Sequence, residues 1–181
     1  QEKTLSEIYW NLIQNPVLKG GGDKGTGHSY IEVYEDLFKD LKDPINFLEI
    51  GVNYGESMKL WHDYFHPDSN LIGADIIHNN LIFNDFNLII EDASTNKFAD
   101  RFPDNHFDVI IDDGSHYINH QILSFNNLFR TLKNGGVYVI EDIQNIDLHR
   151  PYFEKLHPNV EILDRRSIKG QYDDILIVVR K

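Results

Sequence analysis

Residues 107–142 constrain the fold of this chain more than any other stretch. Two apolar runs, at 109–111 and 137–140, each end at a pair of carboxylates, and apolar residues recur between them at helical spacing. This pattern predicts a strand, a helix and a second strand, which a right-handed crossover makes parallel. Open α/β sheets bind ligands at their carboxyl edge, so we expect four carboxylates to meet there: Asp112, Asp113, Glu141 and Asp142.

Composition limits the classes of protein to which the chain can belong. Its 181 residues suit one domain, 1–181, with a full hydrophobic core. The 17 basic and 29 acidic side chains give a net charge of −12, which opposes binding to nucleic acid or to an anionic membrane. No run approaches the roughly 18 to 20 apolar residues of a membrane span. The absence of cysteine excludes disulfides and thiolate metal sites, and we expect a cytoplasmic location.

The first 42 residues predict a small helical unit ahead of the catalytic core at 43–181. A helix at residues 4–15 ends before Pro16, three glycines follow at 20–22, and a second helix carries apolar residues from 31 to 41. Lys24, His28 and Tyr30 lie in the glycine-broken turn between them. The unit is either a cap over the sheet edge or a lid that closes over a ligand.

The remaining apolar runs complete an α/β sheet. Strands are predicted at 46–52, 71–76 and 87–92, and helices at about 57–65 and 147–156. Runs at 160–166 and 174–180 predict a C-terminal antiparallel hairpin. Five parallel strands followed by a hairpin are typical of the Rossmann-like class I methyltransferase sheet, whose strand order is 3-2-1-4-5-7-6.

A glycine loop follows the first strand of the sheet. Gly51 and Gly55 allow close approach of backbone to a ligand, and the following helix N-terminus favours negative charge. The spacing is neither the dinucleotide fingerprint nor a P-loop, which argues against a nicotinamide-dependent oxidoreductase. Asp75 ends the second strand about 20 positions later, where an acid suits a ribose diol. A plain turn and a solvated aspartate are the alternatives.

Four segments resemble the metal-dependent sugar O-methyltransferases that use S-adenosylmethionine: LEIGVNYGESMKLW, LIGADI, FDVIIDDGSHYINHQ and LKNGGVYVIEDI. Members of that family modify deoxysugars on macrolides, tetracenomycin-type polyketides and surface polysaccharides. The resemblance covers about residues 23–143, and DDGSH followed by IED is its most specific part. The N-terminal DKGTGHSY resembles the family's opening motif.

The resemblance implies a role for each matching residue. It implies that residues of the glycine loop and the strand ends contact S-adenosylmethionine: Glu49, Gly51, Tyr54, Gly55, Asp75, Asp92, Ala93 and Asp112. Lys24 and Tyr30 would contact the cofactor from the lid. It implies Mg²⁺ ligation by three acids: Asp113, Glu141 and Asp142. It also implies that His116 is the general base.

Elementary chemistry agrees with these roles. Carboxylates without cysteine suit Mg²⁺, and a hydroxyl bound to a divalent cation loses its proton more readily to a nearby imidazole. Asp113 as a simple helix cap and His116 with His120 as a different metal pair remain alternatives. The expected partner is a small-molecule or glycan acceptor, with a possible homo-oligomer. The competing functions are a catechol-type O-methyltransferase and a non-catalytic nucleotide-binding module.

Overall fold

The computed structural model describes residues 2–16 and 20–181 as one seven-stranded sheet with helices on both faces. The strands are β1 Asn46–Ile50, β2 Asn70–Asp75, β3 Asn87–Ile90, β4 Phe107–Asp112, β5 Leu132–Ile140, β6 Val160–Asp164 and β7 Ile175–Arg180. The helices are α1 Leu5–Gln14, α2 Ile31–Phe38, α3 Glu56–Tyr64, α4 Asn96–Ala99, α5 Ile118–Leu128, α6 Ile146–Glu154 and α7 Arg166–Lys169. A 3-10 turn, Phe129–Thr131, joins α5 to β5. Within the described ranges, no helix is long and apolar enough to span a membrane.

The strand order is β3-β2-β1-β4-β5-β7-β6, which confirms the predicted topology. β7 runs antiparallel to both β5 and β6, and the other neighbouring pairs are parallel. The register pairs Ile50 with Asp112 and Asp112 with Ile140, so β1, β4 and β5 end level with one another. The loops that follow these three strands therefore meet at one edge of the sheet.

Successive residues of the central strands point to opposite faces, and both faces are covered. In β4, Val109 and Ile111 join the core under α1, α2 and α3, whereas Ile110 joins the core under α4, α5 and α6. A sheet buried on both faces needs apolar residues at every position, which explains the continuous apolar runs. On the first face, Tyr34 and Phe38 of α2 pack edge-on against Trp61 of α3. This aromatic group fixes the N-terminal helices to the sheet.

Several predicted boundaries differ from the structure. β1 ends at Ile50 rather than at residue 52, because Gly51 adopts a φ of +83° and turns the chain out of the sheet. β5 begins at Leu132 rather than at 137, because Leu132 pairs with Phe107 across an irregular register. α6 spans Ile146–Glu154 rather than 147–156, and Pro151 is its sixth residue. The short helices α4 and α7 had not been predicted.

Candidate active site

A cavity of about 640 Å³ opens at the carboxyl edge of the sheet, above β1, β2 and β4. Its volume lies in the range of roughly 300 to 1,000 Å³ that is typical of small-molecule sites. The structure brings nine of the fourteen sequence-predicted site residues to its wall: Lys24, Gly51, Asp75, Asp92, Ala93, Asp112, Asp113, His116 and Asp142. The cavity therefore joins the predicted cofactor side to most of the predicted metal side.

The glycine loop requires glycine at two positions. A Cβ on Gly51 would lie 2.0 Å from the carbonyl oxygen of Asp113, and a Cβ on Gly55 would lie 2.4 Å from that of Phe83. Both residues also have positive φ angles, of +83° and +87°. The loop thus lies against the backbone after β4. Tyr54, between the two glycines, has an exposed fraction of 46% and does not line the cavity, so its predicted cofactor contact stays a prediction.

Asp75 holds the glycine loop to the end of β2. Its Oδ2 accepts hydrogen bonds from the backbone N–H groups of Val52 and Asn53, at 3.2 and 3.0 Å. Its Oδ1 accepts one from the N–H of Ile77 at 3.2 Å. Asp75 therefore shapes the loop through its own contacts, and the ribose contact remains a prediction for the same carboxylate.

Two further carboxylates face the cavity in different environments. Asp92 accepts hydrogen bonds from the hydroxyl and the backbone N–H of Ser94, at 2.7 and 2.9 Å, and these bonds lower the pKa of Asp92. Asp112 is buried, and its Oδ1 accepts a hydrogen bond from the N–H of Gly114 at 3.0 Å. Burial raises the pKa of Asp112 to about 6. The negative wall of the cavity suits a ligand with positive charge.

Asp113, His116 and Asp142, which we call the outer cluster, offer one ligand atom each within 4.8 Å of one another. His116 Nε2 lies 3.5 Å from Asp142 Oδ2, and His116 Nδ1 has no hydrogen-bonding partner among the described residues. His116 and Asp142 have φ angles of +66° and +56°, a conformation that is uncommon outside glycine. Such strained residues are concentrated at functional sites.

The outer cluster has the dimensions that a small divalent cation needs. Mg²⁺ binds oxygen ligands at about 2.1 Å in octahedral geometry, so that opposite ligands lie about 4.2 Å apart. The carboxylate oxygens that Asp113 and Asp142 offer lie no more than 4.8 Å apart, so one cation can lie between them. Mg²⁺ also commonly uses only one or two carboxylates and leaves its other positions to water or substrate. The residues therefore fit the cation that the resemblance implies.

A second group of acids, which we call the inner cluster, surrounds Lys24. The Lys24 Nζ lies 3.0 Å from Glu49 Oε2, 3.3 Å from Asp113 Oδ2 and 2.5 Å from Glu141 Oε2. Burial lowers the pKa of Lys24, but the three carboxylates raise it by more, so the pKa lies well above its usual value. Lys24 is thus a buried ammonium group that the sequence suggested only as part of a lid.

The residues of the inner cluster are also fixed by neighbouring helices. Ser57 donates a short hydrogen bond to Glu49, and Trp61 Nε1 donates another at 3.2 Å. Tyr34 donates a short hydrogen bond to Glu141 Oε2. Neither Glu49 nor Glu141 lines the cavity. The predicted roles of Glu49 in cofactor binding and of Glu141 in metal binding stay predictions.

Residues of the N-terminal segment hold Asp142. Tyr30 donates its hydroxyl to Asp142 Oδ1 at 2.7 Å, and His28 Nε2 lies 3.1 Å from both Asp142 Oδ1 and Asp173 Oδ1. Burial lowers the pKa of His28, but Asp23, Asp142 and Asp173 together raise it to about 9. Tyr30 is fully buried and does not line the cavity, so its cofactor contact stays a prediction.

Sequence reasoning missed two kinds of site residue. Gln121 and Ser124 of α5 are buried and line the cavity, and the available signal was a pair of polar residues that interrupts the apolar face of the helix. Asp173 and Asp174 precede β7 and bind the N-terminal segment. Their signal was a further acid pair beside an apolar run, although it precedes the strand instead of following it.

Comparisons with known proteins identify relatives of this site. A family model described as a methyltransferase domain matches residues 48–140. The 8-demethyl-8-(2-methoxy-alpha-L-rhamnosyl)-tetracenomycin-C 3'-O-methyltransferase of Streptomyces olivaceus is 34% identical over 66% of this chain and 33% of its own length. The L-olivosyl-oleandolide 3-O-methyltransferase of Streptomyces antibioticus is 35% identical over 68% of this chain and 33% of its own. The chain thus spans about a third of the length of these relatives.

Solved structures show the same fold. A structure of the MycE methyltransferase from the mycinamycin biosynthetic pathway, in complex with Mg and SAH, matches with a TM-score of 0.75 and 23% identity. The match covers 100% of this chain and 55% of that protein.

Proposed function

Because the chain belongs to the methyltransferase domain family, we propose that it is an O-methyltransferase that depends on S-adenosylmethionine and Mg²⁺. The acceptor is a sugar hydroxyl of a glycosylated natural product or polysaccharide. One observation carries the proposal: the outer cluster and the glycine loop line the same cavity. The names of the relatives, which describe sugar O-methyltransferases, support the choice of acceptor.

S-adenosylmethionine supplies the methyl group in this proposal. The glycine loop, with Gly51 against the backbone of Asp113, accommodates its methionine part. Asp75 binds the ribose hydroxyls, and Asp92 with Ala93 lies beside the adenine. Asp112, which faces the same cavity, lies near the sulfonium and complements its charge.

The outer cluster activates the acceptor. Asp113 and Asp142 would hold the divalent cation, which would supply Lewis acidity to the acceptor hydroxyl. His116, which lines the cavity, accepts the hydroxyl proton. Asp142, which is fixed by Tyr30 and His28, lies 3.5 Å from His116 Nε2 and stabilises the imidazolium that forms. The protein then needs only to align the oxygen with the methyl group.

The cavity wall favours a sugar over a flat aromatic diol. A catechol-type enzyme needs aromatic walls that clamp the ring. The described residues that line this cavity include no Phe, Tyr or Trp, whereas they include four polar side chains near the start of α5: Ser115, His120, Gln121 and Ser124. Homo-oligomer formation and a cytoplasmic location remain predictions.

A methyl-transfer assay tests the proposal. With S-adenosylmethionine labelled in its methyl group and a panel of rhamnosides, label should pass to the sugar in the presence of Mg²⁺ and fall to background with EDTA. His116→Ala should lower the rate about 10²- to 10⁴-fold, the usual contribution of a general base. His106→Ala is the matched control, since His106 does not line the cavity. Full activity in EDTA, or in His116→Ala, would contradict the mechanism.

A further inference from the structure

We propose that the Gln121 amide and the Ser124 hydroxyl of α5 bind the adenine base of S-adenosylmethionine. The inference deepens the proposed function and rests on it, because it names further side chains that hold the proposed cofactor. It adds a helix to a cofactor site that otherwise consists of the glycine loop and the strand ends.

Gln121 and Ser124 are buried polar residues without a partner in the protein. Each residue is 3% exposed and lines the cavity. Neither side chain hydrogen-bonds to another described residue, and their polar atoms are not among the enclosed atoms that lack a partner, so these atoms stay open to the cavity. Because buried polar groups in proteins are nearly always hydrogen-bonded, the free amide and hydroxyl indicate a ligand that binds there.

The two residues lie beside the loop that follows β3. Residues three apart are neighbours on a helix surface, so Gln121, Ser124 and Asn127 form a row along α5. Asn127 Nδ2 donates to the carbonyl oxygen of Ser94 at 2.8 Å, which fixes one end of the row to that loop. Ser94 also lines the cavity, so the row runs from the loop after β3 into the cavity.

The loop after β3 has few side-chain groups left for hydrogen bonds to a base. Asp92 Oδ1 accepts from both the N–H and the hydroxyl of Ser94, so the Ser94 hydroxyl proton is already used. The methyl group of Ala93 can pack against a flat ring but cannot hydrogen-bond to it. A purine beside Asp92 and Ala93 therefore needs partners from another element, and α5 provides them.

The chemistry of the two groups matches the edge of adenine. That edge presents an amino group, which donates, next to a ring nitrogen, which accepts. A glutamine amide carries an acceptor and a donor side by side, and it binds this pattern through two parallel hydrogen bonds. The Ser124 hydroxyl can donate to a ring nitrogen as well. Both groups are neutral, as the base is, whereas the charged sulfonium suits a carboxylate such as Asp112.

Isothermal titration with S-adenosylhomocysteine, the demethylated cofactor, tests the inference on the intact chain. The second ligand is an analogue whose purine carries hydrogen in place of the 6-amino group. The wild type should bind the analogue about three- to tenfold more weakly, the usual effect of one hydrogen bond. Gln121→Leu should weaken S-adenosylhomocysteine binding by a similar factor. It should bind the two ligands within about twofold of each other, because the amino group has lost its partner.

Asn126→Leu is the matched control, since Asn126 lies on the exposed side of α5 and does not line the cavity. It should keep the wild-type affinity for both ligands. Ser124→Ala removes a single oxygen atom and gives a measurement that does not depend on the folding of Gln121→Leu. It should weaken S-adenosylhomocysteine binding by about threefold. Wild-type affinity in both Gln121→Leu and Ser124→Ala would overturn the inference, as would an undiminished preference of Gln121→Leu for the 6-amino group.

The outcomes also separate this inference from the proposed function. If the wild type and both variants bind S-adenosylhomocysteine equally well, the cofactor of the proposed function stands and the role of Gln121 and Ser124 fails. If the wild type does not bind S-adenosylhomocysteine, the cofactor of the proposed function fails, and the inference fails with it.

Discussion

Individual residues of the site are held in conformations that only their surroundings explain. Gly51 packs against the backbone of Asp113, and two non-glycine residues of the outer cluster, His116 and Asp142, have positive φ angles. Backbone strain of this kind costs roughly 1–3 kcal/mol per residue and persists where neighbouring contacts fix the chain. Here the fixed geometry brings the glycine loop and the outer cluster to the wall of one cavity.

Gly51→Ala tests whether the close approach at the glycine loop is essential. The new Cβ would lie 2.0 Å from the Asp113 carbonyl oxygen and would also require a positive φ. Overpacking and strain together should lower the free energy of unfolding by about 3–5 kcal/mol, as measured by urea denaturation.

The matched control is Gly135→Ala. Gly135 has a similar φ of +85°, but a Cβ there would meet nothing within 4 Å. It should therefore lose only the strain, about 1–2 kcal/mol. If the two variants lost the same stability, strain alone and not the contact with Asp113 would explain the glycine.

The sequence predicted the acids of the site better than their partners. Asp112, Asp113, Glu141 and Asp142 follow apolar runs, so a parallel topology is enough to place them at one edge. Lys24 reaches Asp113 and Glu141 from 89 and 117 positions away, and its ammonium lies among them only after the N-terminal segment folds over the sheet. No local pattern encodes such a contact.

At the scale of elements, the residues just before α2 are tied to the core by buried polar contacts. Ser29 donates its N–H to Asp174 Oδ1 at 3.0 Å and its hydroxyl to Asp174 Oδ2 at 2.6 Å. Arg165 donates to the carbonyl oxygen of Ser29 at 2.8 Å. Both the cap and the lid interpretations of this part of the chain stay predictions.

Asp174→Ala should loosen this segment. The change leaves the buried N–H and hydroxyl of Ser29 without their acceptor, which should cost about 2–3 kcal/mol of unfolding free energy. Hydrogen exchange at residues 24–30 should rise while exchange in β4 changes little. Asp104→Ala, which removes an exposed partner of Arg130, should leave both measurements nearly unchanged. Unchanged exchange at 24–30 in Asp174→Ala would mean that other contacts hold the segment.

The helices and strands that carry a clear pattern of apolar residues were predicted from the sequence, and those without one were not. All seven strands and the five longer helices were predicted, because each carries a run or a helical repeat of apolar residues. The four-residue helices α4 and α7 have too few residues to show a period. The C-terminal ends of β1 and β2 were predicted too late in the sequence. These strands end at Ile50 and Asp75, because Gly51 turns the chain out of the sheet and the Asp75 side chain binds the backbone of the glycine loop.

At the scale of the whole molecule, this chain, with its seven-stranded sheet and cavity, matches only a part of each relative. The chain spans about a third of the length of those relatives, and it covers 55% of the MycE structure with a TM-score of 0.75. The predicted class I sheet and membership of the methyltransferase domain family are confirmed, whereas the residue roles stay predictions.

We propose above all that the cavity lined by the glycine loop and the outer cluster binds S-adenosylmethionine. Isothermal titration of the purified chain with S-adenosylmethionine, and separately with NAD⁺, tests it most directly. We predict saturable binding of S-adenosylmethionine at one site per chain, a loss of that binding in Asp75→Ala, and no binding of NAD⁺. Binding of NAD⁺ without binding of S-adenosylmethionine would contradict the account.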